Sequence, residues 1–258
     1  MITSHSNPLI KQVHSLRLRK ARTDTGLFLV EGIHLVGEAV TAGWKIESIL
    51  YSPETLISNF AQDLISKVST NIQPVSSKLM DSLSEKDNPQ GILAVVRQKK
   101  WKLTELAQIH CGVALITPQD PGNVGTIMRT MDAVNSDGLF LLDGGVDPFH
   151  PSSVRASMGT IFWIPIIQTS FVDFVDWSQK FGIRLIGTSA HADTDYRLLN
   201  QTPPWIVLLG SEQKGLSSDH QKVCDLVVSL PMRGRSSSLN LAVATGIFLY
   251  QLRLETPS

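Results

Sequence analysis

Six short runs of apolar residues follow one another from residue 112 onward, and segments with helical character separate most of them. The runs are "GVALITPQ" (112–119), "GLFLLDG" (138–144), "WIPIIQ" (163–168), "RLIGTSA" (184–190), "WIVLLGSE" (205–212) and "LVVSLPM" (226–232). Runs that are apolar almost throughout are typical of strands buried on both faces of a parallel sheet. The pattern therefore predicts an α/β fold in which helices cover both faces of a parallel sheet.

The first hundred residues show the same alternation on a smaller scale. Strand-like runs separated by helical segments occur at "LFLVEG" (27–32), "ESILYS" (47–52), "NIQPVS" (71–76) and "GILAVVRQ" (91–98). The last run leads into the basic stretch "RQKKWKL", after which a new apolar pattern begins. Because a chain of 258 residues can form two domains, we predict a small α/β domain over 1–102 and a second domain over 103–258.

Composition excludes several classes of protein. Apolar residues make up 42% of the chain, which is enough for a globular core, and no apolar stretch is long enough to span a bilayer. The N-terminus lacks the apolar segment of a signal peptide. Cys111 and Cys224 lie too far apart for a zinc knuckle, and none of the seven histidines lies in an H-E-x-x-H pattern. We expect a cytoplasmic protein with no metal and no membrane partner.

Positive charge is clustered in a chain whose net charge is zero. The 23 Lys and Arg balance 23 Asp and Glu, which argues against a general nucleic-acid binder. Residues 1–23 nevertheless contain no acid and five bases: Lys11, Arg17, Arg19, Lys20 and Arg22. Further basic residues lie within 97–102 and at Arg233 and Arg235. Solvated surface charge and contacts to phosphates from a limited face both remain open as interpretations.

Four loops follow the carboxyl ends of predicted strands, the edge at which parallel sheets bind their ligands. They are "PQDPGNVGTIMR" (118–129), "GTSAHADT" (187–194), "GSEQKGLSS" (210–218) and "PMRGRSSSLN" (231–240). Three of them are rich in glycine, serine or threonine. These loops are therefore the candidate site.

The first of these loops enters a helix. Gly122 and Gly125 permit a tight turn and a close approach of the backbone to a ligand. Asn123 either caps the helix or acts in the site. Arg129 lies in the second turn of an otherwise apolar helix, where it requires an anionic ligand, a solvent-facing position or an i,i+3 ion pair with Asp132.

The loop "GSEQKGLSS" resembles a phosphate-binding loop only superficially. Leu216 occupies the position at which that motif requires lysine, so the sequence excludes a nucleotide hydrolase of this type. No GxGxxG is present, which removes the main support for a nicotinamide dehydrogenase. Glu212 is explained either by the dipole of a following helix or by function. His150, before a helix that we expect to begin near Ser152 or Ser153, favours a structural role.

The segment "SSSLNLAVATGIFLYQL" (236–252) predicts a core helix with a serine cap. An apolar stripe recurs at helical spacing: Leu239, Ala242, Val243, Gly246, Leu249 and Tyr250. Small residues in and beside the stripe indicate that another element packs closely. Asn240 is left unexplained, because Ser238 already provides the cap.

Three segments, in this order, resemble the SpoU (TrmH-like) family of RNA ribose 2′-O-methyltransferases: "DPGNVGTIMRTMDA", "IVLLGSEQKGLS" and "LPMRGRSSSLNLAVATGI". The segment "VRASMGTIFWIPI" is similar to that family too. The N-terminal "SNPLIKQVHSLRLRKAR" and "GLFLVEGIHLVGEAV" resemble the family's accessory substrate-binding domain, which is related to ribosomal protein L30e. The resemblance extends across nearly the whole chain, and the three motifs in order are far more specific than any one alone.

The resemblance implies an α/β fold with a deep C-terminal trefoil knot, S-adenosylmethionine as methyl donor, and a homodimer. The apolar pattern does not predict a knot, since threaded loops are rare exceptions to the rules of topology. In this family the cofactor lies bent in the knot and is contacted mostly by backbone. The cofactor-binding residues implied here are Thr188, Ser189, Ala190, Leu209, Gly210, Gly215, Leu230, Met232, Ser238 and Leu239.

The catalytic residues implied by the resemblance are Asn123, Arg129, Glu212, Ser238 and Asn240. The sequence departs from the family pattern at Ser211, where asparagine is frequent, and at Gln213 and Asn135, where glycine is frequent. The implied substrate is RNA, with ribosomal RNA preferred to transfer RNA. A catalytically silent RNA-binding paralogue and an α/β enzyme that binds a nucleotide other than RNA are the alternatives.

Overall fold

The chain forms two compact units in a computed structural model that describes residues 1–84, 89–106, 108–200 and 202–254. The N-terminal unit consists of Met1–Lys99 together with Phe149–Phe162, and the C-terminal unit consists of Lys100–Pro148 and Trp163–Ser258. The first boundary between these units lies at Lys99–Lys100, within the basic stretch "RQKKWKL". The segment Phe149–Phe162 was not predicted to leave the second domain, because its sequence carries no sign of a partner in the first.

The helices and strands follow one another in the alternation that the apolar runs predicted. The helices are α1 (Pro8–Ser15), α2 (Arg19–Thr25), α3 (Ile33–Thr41), α4 (Asn59–Lys67), α5 (Ser77–Leu83), α6 (Pro121–Ala133), α7 (Pro151–Ala156), α8 (Phe171–Lys180), α9 (Ser218–Lys222) and α10 (Leu241–Leu254). The strands are β1 (Leu27–Glu31), β2 (Ile46–Tyr51), β3 (Asn71–Pro74), β4 (Ile92–Arg97), β5 (Cys111–Ile116), β6 (Gly138–Leu142), β7 (Ile166–Thr169), β8 (Arg184–Thr188), β9 (Thr194–Asp195), β10 (Trp205–Leu209) and β11 (Leu226–Ser229).

The N-terminal unit is built on a sheet with the strand order β1-β4-β2-β3. The β2–β3 pair is parallel, and β4 is antiparallel to both of its neighbours. Leu27 and Leu29 join a core that includes α1 and α5. Phe28 points to the opposite face, because successive side chains of a strand alternate, and there it packs against Trp44 and Phe149.

The C-terminal unit contains a wholly parallel sheet with the order β7-β6-β5-β10-β8-β11-β9. Ile206 and Leu208 belong to a core that includes Phe174 and Trp177 of α8. Val207 and Leu209 alternate with them and are also buried, so both faces of the central strand are covered. This confirms the predicted α/β class with its parallel sheet.

The strand order determines where a site can form. Chain order reverses at the centre of the sheet, since β5 lies between β6 and β10. The carboxyl ends of β5, β10, β8 and β11 are consequently neighbours, and the four candidate loops leave the sheet along one edge. Among the described residues, no helix combines the length and apolar character that crossing a membrane requires.

The C-terminal segment forms the predicted core helix, but half of its apolar stripe lies at the surface. Ala242 and Leu249 are buried, whereas Leu239, Val243 and Tyr250 are 40%, 52% and 49% exposed. Helix α10 packs through the face that carries Leu241 and Phe248. The exposed residues form a second apolar face of the segment. Helical spacing marks both faces as apolar and does not show which of them is buried in the monomer.

Candidate active site

A cavity of about 660 Å³ lies at the carboxyl ends of β8, β10 and β11. All ten residues to which the resemblance gave a cofactor-binding role line this cavity, and so do Glu212 and Asn240. The wall also contains residues that the sequence did not single out, among them His191, Lys214, Gln221, Ala244 and Phe248. The last two share the spacing of one helical face with Leu241, which is the signal that would have found them.

The loop after β10 is a tight turn that requires glycine. A Cβ atom on Gly210 would lie 1.9 Å from the carbonyl carbon of Gly215, so the two backbones touch. Gly215 has φ +64°, and its N–H donates to the carbonyl oxygen of Ser211 at 2.9 Å. The Ser211 hydroxyl oxygen accepts from the N–H of Lys214 at 3.3 Å. Serine at the departure from the family pattern therefore still makes a local hydrogen bond within the loop.

Glu212 connects this loop to the loop after β5. One carboxylate oxygen accepts from the backbone N–H of Gln119 at 3.1 Å. The other accepts from the backbone N–H of Asp120 at 3.3 Å and from the side-chain amide of Asn123 at 3.3 Å. With three donors directed at it, the Glu212 carboxylate holds the loop that begins α6.

Asn240 extends the same network to α10. Its amide nitrogen donates to the side-chain oxygen of Asn123 at 2.9 Å. Its side-chain oxygen accepts from the backbone N–H groups of Ala242 at 2.9 Å and Val243 at 3.3 Å. Asn240 is thus the helix cap, and the prediction that Ser238 provides it is wrong. Ser238 is exposed on the cavity wall, and its carbonyl oxygen accepts from the Ser236 hydroxyl at 2.7 Å.

The network fixes the orientation of both amides. The carboxylate of Glu212 can only accept, so Asn123 must direct its NH₂ toward Glu212 and its oxygen toward Asn240. The backbone donors of α10 then require the oxygen of Asn240. Asn123 is not the cap of α6, a role that Asp120 fills by accepting from the N–H of Gly122 at 2.7 Å. The capping alternative for Asn123 is therefore excluded.

Arg129 lies on the exposed side of α6 and is not part of the cavity wall. Within the described ranges its guanidinium makes no hydrogen bond or ion pair, and the i,i+3 pair with Asp132 does not form. A guanidinium carries five N–H donors. Arg129 is consequently available to an anion supplied by a ligand.

The predicted RNA-binding residues differ in exposure. Lys11, Arg19 and Lys20 are exposed, whereas Arg17 is half-buried and donates to the carbonyl of Leu83 at 2.9 Å. Arg22 is only 1% exposed and donates to the carbonyls of Leu16 at 2.9 Å and Arg17 at 2.8 Å. The assignment of Arg22 to RNA is wrong, because its guanidinium is buried and hydrogen-bonded to the backbone that follows α1.

Several further charged or polar groups resolve into structural roles. His150 caps α7, its Nδ1 accepting from the N–H of Ser152 at 3.1 Å, and the helix begins at Pro151, next to the expected start. The two basic residues Arg233 and Arg235 in the loop before α10 are exposed.

The Arg197 guanidinium forms an ion pair with Asp195 and lowers the pKa of that carboxyl to about 2. No group of three or more His, Cys, Asp or Glu with the arrangement of a metal site occurs in the part of the chain that the structure describes.

Residues 110–250 match the model of the SpoU rRNA Methylase family, which is more than half of the chain. The chain belongs to the SpoU family. Residues 7–94 match the model of the MRM3-like substrate binding domain.

Individual SpoU relatives cover almost the whole chain. The 23S rRNA (uridine(2479)-2′-O)-methyltransferase of Streptomyces viridochromogenes is 34% identical over 90% of this chain and 84% of that protein. The 23S rRNA (guanosine(2553)-2′-O)-methyltransferase of Bacillus subtilis is 32% identical over 98% of both. The AdoMet-bound rRNA methyltransferase of Sinorhizobium meliloti has a TM-score of 0.90 and 34% identity, and covers 100% of this chain and 98% of its own.

Proposed function

We propose that this SpoU protein transfers a methyl group from S-adenosylmethionine to a ribose 2′-hydroxyl of ribosomal RNA. The observation that carries the proposal is the network of Glu212, Asn123 and Asn240, which joins a large cavity to the helix that presents Arg129. The two relatives named above as 23S rRNA 2′-O-methyltransferases support the substrate class. Solved relatives with bound AdoMet, from Sinorhizobium meliloti and Streptomyces viridochromogenes, support the methyl donor.

The cavity fits S-adenosylmethionine in size and chemistry. Its volume of about 660 Å³ lies inside the usual range for small-molecule sites. Leu209, Leu230 and Met232 offer apolar surface for an adenine ring, and the glycine turn at Gly210 exposes backbone polar groups beside it. When bound, this cofactor supplies an electrophilic methyl group on a sulfonium.

Arg129 is the residue that we assign to the reacting ribose. A guanidinium holds its protons too firmly to act as a general base. As a cation with directed donors, it can bind the phosphate beside the target ribose and stabilise the alkoxide that develops on the 2′-oxygen. The absence of a partner for Arg129 among residues 108–200 and the other described ranges supports this role, because an unpaired guanidinium is ready for a phosphate.

We assign Asn123, Glu212 and Asn240 the role of positioning Arg129 and the ribose. Holding the acceptor oxygen at attack distance can lower the barrier by several kcal/mol, and a displacement of about 1 Å can cost about a hundredfold in rate. Asn123 lies six residues before Arg129 on the same helix, so a network that fixes the start of α6 also fixes the position of Arg129. Ser238 fixes the loop that closes the cavity next to Asn240.

The trefoil knot and the homodimer belong to this proposal. The loops after β8, β10 and β11 meet around one cavity, which supports a knotted cofactor site. The exposed apolar face of α10, with Leu239, Val243 and Tyr250, supports a second copy of the chain as its partner, since monomers rarely expose contiguous apolar surface.

RNA recognition is assigned to the N-terminal unit, which we propose to be the L30e-like domain that the sequence implied. Lys11 on α1 and Arg19 and Lys20 on α2 are exposed, so their ammonium and guanidinium groups can reach phosphates. The description of the matching model as a substrate binding domain supports this. Arg233 and Arg235, exposed beside the cavity loops, are the proposed contacts near the target nucleotide.

A single-turnover methylation assay with ribosomal RNA and S-adenosylmethionine tests the function. We expect wild-type protein to methylate ribosomal RNA at a 2′-hydroxyl, and Arg129→Ala to lose most of the rate while retaining cofactor affinity. Arg129→Lys, which keeps the charge, should retain part of it. Transfer to tRNA in place of ribosomal RNA would change the substrate, and cofactor binding without transfer to either would identify a silent paralogue.

A further inference from the structure

The loop that leaves β6, residues 143–148, contacts the turn after β5 at Pro118. The N–H of Val146 donates to the carbonyl oxygen of Pro118 at 2.8 Å. A Cβ atom on the neighbouring Gly145 would lie 2.5 Å from that same oxygen and 2.8 Å from the Pro118 nitrogen. Gly145 also has φ +94°, which favours glycine. Nothing larger than glycine fits against Pro118 without moving its backbone.

Pro118 begins the turn that presents N–H donors to Glu212. The next two residues, Gln119 and Asp120, donate their backbone N–H groups to the carboxylate. Thr117, on the other side, has φ +41°, a conformation that L side chains rarely adopt. Its N–H donates to the carbonyl of Leu142 at 3.0 Å, so this strained residue is held between β5 and β6. A shift of Pro118 therefore moves the donors that Glu212 uses.

The loop that supports Pro118 is itself held where it leaves β6. Asp143 accepts from the N–H of Phe171 at 2.8 Å, and its own N–H donates to the carbonyl oxygen of Thr169 at 3.1 Å. A loop held in this way can set the position of what it touches.

We infer that Gly145 and Pro118 form a positioning contact for methyl transfer, in which the 143–148 loop places the Gln119–Asp120 turn for Glu212 and, through it, Asn123. This inference rests on the proposed function, because it names groups that act through the Glu212 network. Gly145 and Pro118 are positioning residues: neither lines the cavity, so neither contacts the cofactor.

Gly144 provides a matched control. It has φ +90°, almost the same as Gly145, but a Cβ atom there meets nothing within 4 Å. Gly144→Ala and Gly145→Ala therefore introduce the same backbone strain, and only the second pushes on Pro118. Comparing the two separates displacement of the catalytic turn from the general cost of strain.

The experiment is single-turnover methylation of ribosomal RNA by the full-length variants, with cofactor affinity from calorimetry and melting temperatures in parallel. We expect Gly145→Ala to lower the rate at saturating RNA and cofactor at least about tenfold, with the cofactor Kd and the KM for RNA unchanged. Gly144→Ala should stay within about threefold of wild type. Equal rates for the two variants, or a loss of cofactor affinity in step with rate, would overturn the inference.

A second variant covers the case in which Gly145→Ala does not fold. Pro118→Ala removes the ring that fixes the backbone of the turn but introduces no clash. It should lower the saturating rate several-fold with unchanged cofactor Kd, and an unchanged rate would refute the positioning role. Wild-type protein that binds cofactor but methylates no RNA would instead refute the proposed function.

Discussion

Substituting Asn240 separates two roles that one side chain fills. Its oxygen caps α10 through Ala242 and Val243, and its nitrogen donates to Asn123. Asn240→Asp keeps an oxygen for the cap, since aspartate is among the best capping residues. It replaces the donor to Asn123 with a second oxygen, which faces the Asn123 oxygen and cannot bond to it. Asn240→Ala removes both roles.

The two variants should differ in stability more than in activity. Loss of a cap costs about 1 kcal/mol and loss of the amide hydrogen bond about another 1 kcal/mol, so Asn240→Ala should lower the free energy of unfolding by about 2 kcal/mol. That corresponds to a melting temperature about 4–8 °C lower for a protein of this size. Asn240→Asp should lose about 1 kcal/mol, because it loses the amide hydrogen bond to Asn123 but keeps the cap.

Activity should fall in both variants. Without the bond from residue 240, the Asn123 amide is free to turn, and a displacement of about 1 Å at a reacting centre costs about a hundredfold in rate. Single-turnover methylation and thermal unfolding measure the two effects. Ser170→Ala is the control, because it removes a comparable cap on α8, where Ser170 accepts from the N–H of Asp173 at 3.1 Å, away from the cavity. Wild-type activity in Asn240→Asp would refute the reasoning.

Three further predictions follow from individual contacts. Gly210→Ala should abolish cofactor binding measured by calorimetry, because its Cβ would overlap Gly215; normal affinity would contradict the tight-turn geometry. Arg22→Ala should lower the melting temperature, because it removes a buried, hydrogen-bonded side chain. Lys20→Ala should leave the melting temperature unchanged, weaken RNA binding and reduce the salt dependence of that binding. The opposite pattern would restore Arg22 as an RNA contact. Burial raises the pKa of the Cys224 thiol from 9.0 to about 11, so iodoacetamide at pH 8 should modify this thiol slowly in the folded protein. The free energy of unfolding should fall as the pH rises from 9 to 11, because in that range only the unfolded chain loses the thiol proton. Fast modification at pH 8 would show the site to be open.

The contribution of the N-terminal unit to RNA affinity should be tested with point variants and not with a domain deletion. Removing residues 1–100 would strip Phe28 and Trp44 from Phe149 and Phe162, which pack with them in the N-terminal unit. A loss of activity after such a deletion would not distinguish lost RNA contacts from lost packing. Single substitutions at the exposed residues Lys11, Arg19 and Lys20 avoid that ambiguity.

Helix ends and buried charges were the weakest predictions from sequence. The sequence offered Asn123 as a cap for α6 and Ser238 for α10. Serine, asparagine and aspartate all cap helices, and only the observed hydrogen bonds select Asp120 and Asn240. Arg22 looked like its basic neighbours because charge clustering carries no information on burial. Its side chain points into the protein, where the carbonyls of Leu16 and Arg17 satisfy it.

The sequence by itself determined the α/β class and the edge of the sheet along which the candidate loops lie. Both depend on local patterns, because apolar runs specify buried parallel strands and ligand loops follow their carboxyl ends. The individual residues expected in the cavity came from the resemblance to the SpoU family and not from those patterns. Tertiary structure alone decided that Glu212, Asn123 and Asn240 form one network, that α10 has a second apolar face, and that Phe149–Phe162 belongs with the N-terminal unit. Those facts join residues far apart in the chain, and no local period or spacing encodes which of them meet.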